Sequence, residues 1–167
     1  MTIISKEELR DLVEELESQR ARATELITVY IPVGQNIYTV ADQLEAEKST
    51  AKNIKSAGTR KNVGNALDKI TRQLKEYKKP PENGLASFCG NISRIEGQDD
   101  LKLWAVEPMM QLKTRMYRCD KEFILEPLRE MLEVTEVFGL LVMDRKEATI
   151  GLLEGKRIEF LHKMTSG

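Results

Sequence analysis

Apolar residues recur along the chain with two different periods. Leu9, Leu12, Val13 and Leu16 fall at i, i+3, i+4 and i+7, behind a Ser5–Glu8 pair spaced as a capping box. This predicts an amphipathic helix over 5–21. Leu26 to Ile31 (LITVYI) is β-rich and halts at Pro32, which predicts a buried strand. Ile37, Val40, Ala41 and Leu44 predict a second helix from Asn36 to Ser49. Val63, Leu67, Ile70, Leu74 and Tyr77 step by four and three, so a third, longer helix starts near Thr59. Its opposite face carries Lys61, Lys69, Arg72 and Lys75. The stretch between these two helices, with Asn53 to Ser56 inside it, is expected at the tip of an αα-hairpin.

Beyond Tyr77 the pattern changes. Pro80, Pro81 and Asn83-Gly84 stop the helix and turn the chain. Leu85–Cys89 is an expected strand and 90–100 a polar loop. Leu101–Val106 and Thr114–Cys119 are two further expected strands, and Pro127 suits the first turn of a short helix, Pro127–Glu133. Strands alternating with helices, and a late strand pair, predict an α+β fold: a mixed sheet covered by helices, with a protruding αα-hairpin. The last stretch reads differently. Val137–Met143, Ala148–Leu153 and Arg157–Lys163 are expected strands joined by turns at Asp144-Arg145-Lys146 and Glu154-Gly155-Lys156. A meander of this length cannot bury a core of its own, and no closing element follows. The expected division is 1–135 as one domain and 136–167 as the opening strands of a second, cut off. Its strand edges leave pairing with a second copy open.

Net charge is −1, and only its distribution is informative. Between Lys48 and Lys79 lie ten Lys/Arg and two acids, Asp68 and Glu76, leaving 16 of the 26 bases and 25 of the 27 acids elsewhere. A concentrated cationic stretch on an otherwise acidic protein suits a phosphate backbone. The alternative is a set of solvated helix faces. Hydrophobic content of 41% and charged content of 32% are those of a globular chain. No apolar run approaches the roughly 20 residues of a membrane helix, so no membrane partner is expected. The acidic, amphipathic N-terminus resembles neither a signal nor a transit peptide.

The usual ingredients of an active site are sparse. Cys89 and Cys119 are expected as free thiols in a reducing cytoplasm. The one histidine, His162, leaves little scope for a histidine metal site or a Ser-His triad, and neither Ser56 nor Ser87 has a histidine near in sequence. Neither GxxxxGK[ST] nor GxGxxG occurs, and nothing fixes two of Glu15, Asp42, Glu45 and Glu47 as an acid–base pair. An enzyme is therefore not supported, and no metal or cofactor is expected. Tyr117 and Cys119 stand at i and i+2 of a strand, hence on one face, with Phe123 four residues on. A ring beside a compact thiol can stack and fit an unpaired base; equally, all three can be core residues beneath a helix.

Asn53-Ile54-Lys55-Ser56 and Tyr117-Arg118-Cys119-Asp120-Lys121-Glu122-Phe123 resemble the NIKS and YxCxxxF motifs of the archaeal and eukaryotic class I peptide chain release factors. The separation of the motifs also matches. RQLKEYKKPPENGLASFCG resembles the family's intervening stretch, and FGLLVMD, ATIGLLEG and LHKMTSG resemble the start of its middle domain. The likeness runs from Leu9 onward. The short N-terminus and the Thr24–Leu26 entry to the first strand resemble the archaeal branch more closely.

The resemblance implies a domain that reads stop codons of messenger RNA in the ribosomal A site. It implies that Asn53, Ile54, Lys55 and Ser56 recognise the first uridine, and that Tyr117, Cys119 and Phe123 help select the purines that follow. Glu47 corresponds to a glutamate of the codon pocket. Thr24 matches the threonine of a GTS-type motif, with Ala23 and Glu25 in place of its glycine and serine. Lys52, Arg60, Lys61, Lys69 and Arg72 become candidates for ribosomal RNA phosphates, which position without specifying. The family's GGQ tripeptide, which promotes peptidyl-tRNA hydrolysis, is absent from this sequence. The implied chain binds and reads, while release and the delivering translational GTPase belong to further domains of a cytoplasmic parent, itself a monomer. Two other readings stay open: a general RNA-binding or ribosome-rescue module, and a scaffold whose basic hairpin docks an acidic protein. Codon dependence separates them.

Overall fold

Six consecutive residues of strand β1 (Leu26–Ile31) are buried, which places it in the middle of a sheet covered on both sides. The computed structural model describes residues 3–134 together with the backbone of Thr149–Glu154 and Arg157–Lys163. By internal contacts the chain divides into two units, Met1–Leu125 and Glu126–Gly167.

In the first unit, helix α1 (Lys6–Glu17) opens with the capping box: Ser5 Oγ accepts from Glu8 N at 3.2 Å, and Glu8 Oε1 accepts from Ser5 N at 3.4 Å. It ends earlier than 21 because the apolar stripe stops at Leu16. Ser18 then turns its hydroxyl back onto the Glu15 carbonyl. Helix α2 (Ile37–Ala51) is capped by Asn36, whose Oδ1 accepts from Tyr38 N at 2.8 Å. It runs past Ser49 because Ala51 is still buried. Helix α3 (Ala57–Lys75) starts two residues before Thr59 because Ser56 is its N-cap, accepting from Thr59 N at 3.3 Å. Strands β2 (Leu85–Asn91), β3 (Leu101–Val106) and β4 (Met116–Asp120) complete the unit. No helix among the described residues is long and apolar enough to cross a membrane.

The α+β class holds, and the chain makes a four-stranded sheet in the order β3-β2-β1-β4. Every neighbouring pair is antiparallel, which corrects the expected mixed sheet. The reason is the helix count between strands. One crossover helix returns the chain to the start of the sheet and yields a parallel neighbour. Here two antiparallel helices intervene, with Lys75 reaching Glu45 and Lys48 reaching Asp68, so the chain returns to the end it left. Gly84 makes the re-entry tight. Its φ is +86°, and a Cβ there would collide with the Ile31 carbonyl oxygen.

Strand alternation divides the core. Ile27, Val29, Ile31, Leu85 and Cys89 point to the face covered by α2 and α3, against Leu44, Leu67, Ile70 and Leu74. The opposite face carries an aromatic chain in which Tyr30 meets Phe88, Phe88 meets Phe123, and Phe123 meets Trp104. All three pairs are edge-to-face, with ring centroids 5.5 to 5.7 Å apart.

In the second unit residues 126–134 are helical, as expected around Pro127. Strands β5 (Thr149–Glu154) and β6 (Arg157–Lys163) pair antiparallel, with a register shift between Ile150 and Gly151. The strand expected over Val137–Met143 lies outside the described residues.

Candidate nucleic-acid interface

The five residues joining α2 to α3 are held firmly. Asn53 N donates to Thr50 O and Ile54 N to Ala51 O, both at 3.1 Å, so the helix winds down through the connection. Ile54 is partly buried against the core beneath the hairpin. Its carbonyl accepts from Arg60 Nη1 at 2.9 Å. With Ile54 rooted below and Ser56 capping α3, Asn53, Lys55 and Ser56 are left exposed. Sequence reasoning treated these four residues alike; the structure makes one of them an anchor.

Tyr117 and Cys119 lie on the helix-facing side of β4, paired in register with Val29 and Ile27. Glu47, one turn before the end of α2, is close enough for its charge to act on both. Cys119 Sγ donates to the Thr24 carbonyl oxygen at 3.0 Å. Thr24, Glu47, Tyr117 and Cys119 are thereby brought together, although 95 residues separate the two ends of that thiol bond. Phe123 is not among them. The strand ends at Asp120, and the alternation rule ends with it. Ile124 N donates to Thr28 Oγ1, and the Tyr30 hydroxyl donates to Ile124 O. These bonds carry the chain beneath the opposite face of the sheet, where Phe123 is buried between Phe88 and Trp104.

The candidate phosphate contacts divide over two sides of α3. Lys61 is paired with Asp99 at 2.8 Å, and Lys69 Nζ lies 3.5 Å from Leu101 O, towards β3 and the loop before it. Lys52, Arg60 and Arg72 line a groove between α2 and α3, and Lys61 borders that groove as well. The periodicity gave no sign of a polar network at the start of α3. Asn62 Nδ2 donates to Glu25 Oε2 at 2.9 Å, and Asn91 Nδ2 donates to Asn62 Oδ1 at 3.3 Å. Asn91 Oδ1 in turn accepts from Ser93 N and Asp100 N, closing the base of the 91–100 loop. Only strand register brings these residues together. A cleft of about 670 Å³ lies beside them, lined by Arg22, Glu25, Ser56, Asn62, Arg94 and Asp99 among others.

Residues 4–133 match the family model described as eRF1 domain 1. The chain belongs to this release-factor family. Peptide chain release factor subunit 1 of Thermococcus onnurineus is 55% identical over 159 residues, which is 95% of this chain and 38% of that protein. The namesake from Methanocaldococcus jannaschii is 45% identical over the same shares. A solved structure titled "Crystal structure of archaeal translation termination factor, aRF1" superposes with a TM-score of 0.71 at 34% identity, covering 97% of this chain and 45% of that one. Another, titled "Archaeal protein", gives 0.74 at 33% identity over 98% and 46%. The release-factor chain thus spans about two-fifths of the length of its curated relatives, and its likeness is to the archaeal branch.

The chemistry of this release-factor surface is set by burial. Burial first, and the neighbouring Cys119 and Glu47 second, push the Tyr117 hydroxyl well above its usual range, so it stays a neutral donor. Burial also pushes the Cys119 thiol up to about 11, with the charges of Asp120, Glu25 and Glu47 adding to it. At pH 8 iodoacetamide should therefore alkylate Cys119 on the order of a hundredfold more slowly than an ordinary thiol. A raised thiol pKa favours the neutral form in the fold. That stabilisation is complete below the ordinary thiol range and is lost as pH rises through about 11. Glu47→Gln should shift the alkylation profile of Cys119 to lower pH, read by mass spectrometry of the labelled peptide. An unmoved profile would place the Glu47 charge elsewhere.

Proposed function

We propose that this chain reads the stop codons of messenger RNA in the ribosomal A site, with recognition carried by residues 1–135 and residues 136–167 opening the next domain. The convergence of Thr24, Glu47, Tyr117 and Cys119, with Glu47 in the closing turns of the helix that leads into the Asn53–Ser56 loop, supports this reading most directly. Uridine is small and presents carbonyl oxygens. Asn53 and Lys55 are suitable donors to them, and selection for this small base is by size against the larger purines. Glu47 accepts from the exocyclic amino group of adenine or guanine, which neither uracil nor any other ring lacking that group can supply. Tyr117 offers a ring face, and its hydroxyl remains a donor at neutral pH. Phe123 serves this surface from below, by holding the turn after β4. Cations on α3 hold ribosomal RNA phosphates without reading sequence. In this reading peptide release and the contact with a translational GTPase reside in other domains of a cytoplasmic factor, and this chain is not itself an enzyme.

The test replaces the matching domain of a full-length release factor with this chain in a reconstituted termination assay. Base stacking on an aromatic ring contributes roughly 1–3 kcal/mol per base. Tyr117→Ala should therefore lower release at stop codons by about tenfold or more when measured well below the melting temperature of the variant, which falls because the half-buried ring packs against the core. Release at wild-type rates from the Tyr117→Ala chimera would remove the decoding assignment.

A further inference from the structure

At the root of the α2–α3 hairpin, where the chain enters α2 and leaves α3, lies a groove of about 320 Å³. Ile37, Tyr38, Tyr77 and Pro80 give it apolar walls, and Lys78 and Lys79 stand along it. No acid is among its lining residues, and α2 has none in its first turn. Lys75 at the end of α3 is tied to Glu45, whereas neither Lys78 nor Lys79 has an acid partner among the described residues. Two large apolar side chains are left in solvent at this end. Tyr38 is 53% exposed, and Val33, next to the lining residue Gly34, is 42% exposed. The Tyr38 ring is nevertheless held in place, because its hydroxyl donates to the Tyr77 carbonyl oxygen at 3.3 Å.

A single exposed apolar residue needs no explanation. A fixed ring beside an apolar slot and two unpaired cations has the composition of a binding surface, in which tyrosine is a common anchor. A ring already fixed loses little side-chain freedom when a partner arrives. The charge then selects the class of partner. The lysines favour carboxylates, while the apolar walls favour a hydrocarbon side chain over a bare polyanion. We propose that this groove docks an acidic peptide segment of a protein partner, with one leucine-sized side chain seated between the tyrosine rings and Pro80, and flanking carboxylates on Lys78 and Lys79. The length of α2, Ile37–Ala51, separates this groove from the Asn53–Ser56 loop by roughly 20 Å at 1.5 Å per residue. The partner therefore sits clear of the loop, and the site stands whether or not that loop reads a codon.

The test is an NMR titration of the full 167-residue chain, labelled with nitrogen-15, by an acetylated peptide amide carrying one leucine between two pairs of glutamates. Amide resonances of residues 34–38 and 77–79 should shift, with a dissociation constant of about a millimolar or tighter. Tyr38→Ser should weaken binding roughly tenfold. It should leave the melting temperature nearly unchanged, because the ring is exposed and serine and tyrosine have similar helix propensity. Lys78→Gln and Lys79→Gln should each weaken binding several-fold and flatten its salt dependence. Arg20→Gln, outside the groove, should leave binding unchanged. Replacing the peptide's leucine by glycine should abolish the shifts at 34–38. Shifts confined to the hairpin tip around Lys52 and Arg60, or wild-type affinity in Tyr38→Ser, would reduce the effect to diffuse charge and overturn the proposal. Groove resonances that move with protein concentration alone would make a second copy the occupant. An RNA duplex that shifts the same resonances with the same Tyr38 dependence would make it RNA. Either result overturns the choice of partner.

Discussion

Lys55→Ala, carried on a full-length release factor, should cut stop-codon-dependent release by roughly ten- to a hundredfold and leave the melting temperature within about a degree. The size follows from the roughly 1.5–3 kcal/mol by which a hydrogen bond to a charged group exceeds its solvated alternative. The unchanged stability follows from the loop's construction. Lys55 is exposed, and the backbone around it is fixed by the Ile54 side chain, by Arg60 on the Ile54 carbonyl and by Ser56 capping α3. None of these uses the lysine amine. Ribosome binding on a sense codon should fall far less, which separates loss of reading from loss of general charge. A chimera that terminates normally without Lys55 would leave the loop with no part in recognition.

Phe123→Ala should have the largest effect on folding. The ring is 5% exposed and packs edge-to-face on Phe88 at 5.7 Å and on Trp104 at 5.5 Å. Truncating a buried Phe costs about 3–5 kcal/mol, which for a domain of this size lowers the melting temperature by roughly 10 °C or more. Phe123→Leu keeps most of the apolar volume and should recover most of that loss. Release by the leucine variant, measured well below its melting temperature, should keep wild-type discrimination among the stop codons. Altered codon preference in a stably folded Phe123→Leu protein would instead put the ring in contact with the message.

These two residues show what a linear reading captures. β1 was legible because a β-rich run ended at a proline, and α3 because its apolar residues step by four and three. The turn to Ser56 was legible because breakers sit between two helical patterns. Phe123 was not placed by pattern, since a four-residue offset from Cys119 has meaning only while the strand continues. The antiparallel sheet depended on counting two helices in one crossover rather than on any local signal. Glu47 entered through resemblance alone. Its nearness to Tyr117 and Cys119 comes from the packing of α2 on the sheet. The Asn62–Glu25 and Asn91–Asn62 bonds join polar residues with no periodicity, so only the assembled register reveals them.

Ile54 is flanked by Asn53 and Lys55, yet its own side chain reaches the core. Close-packed interiors transmit displacement, so a methyl gained or lost at Ala51 or Val63 moves both neighbours as a unit. Under the proposed reading of this loop, punctuation of the genetic code can then drift through the apolar interior, without any change at Asn53 or Lys55.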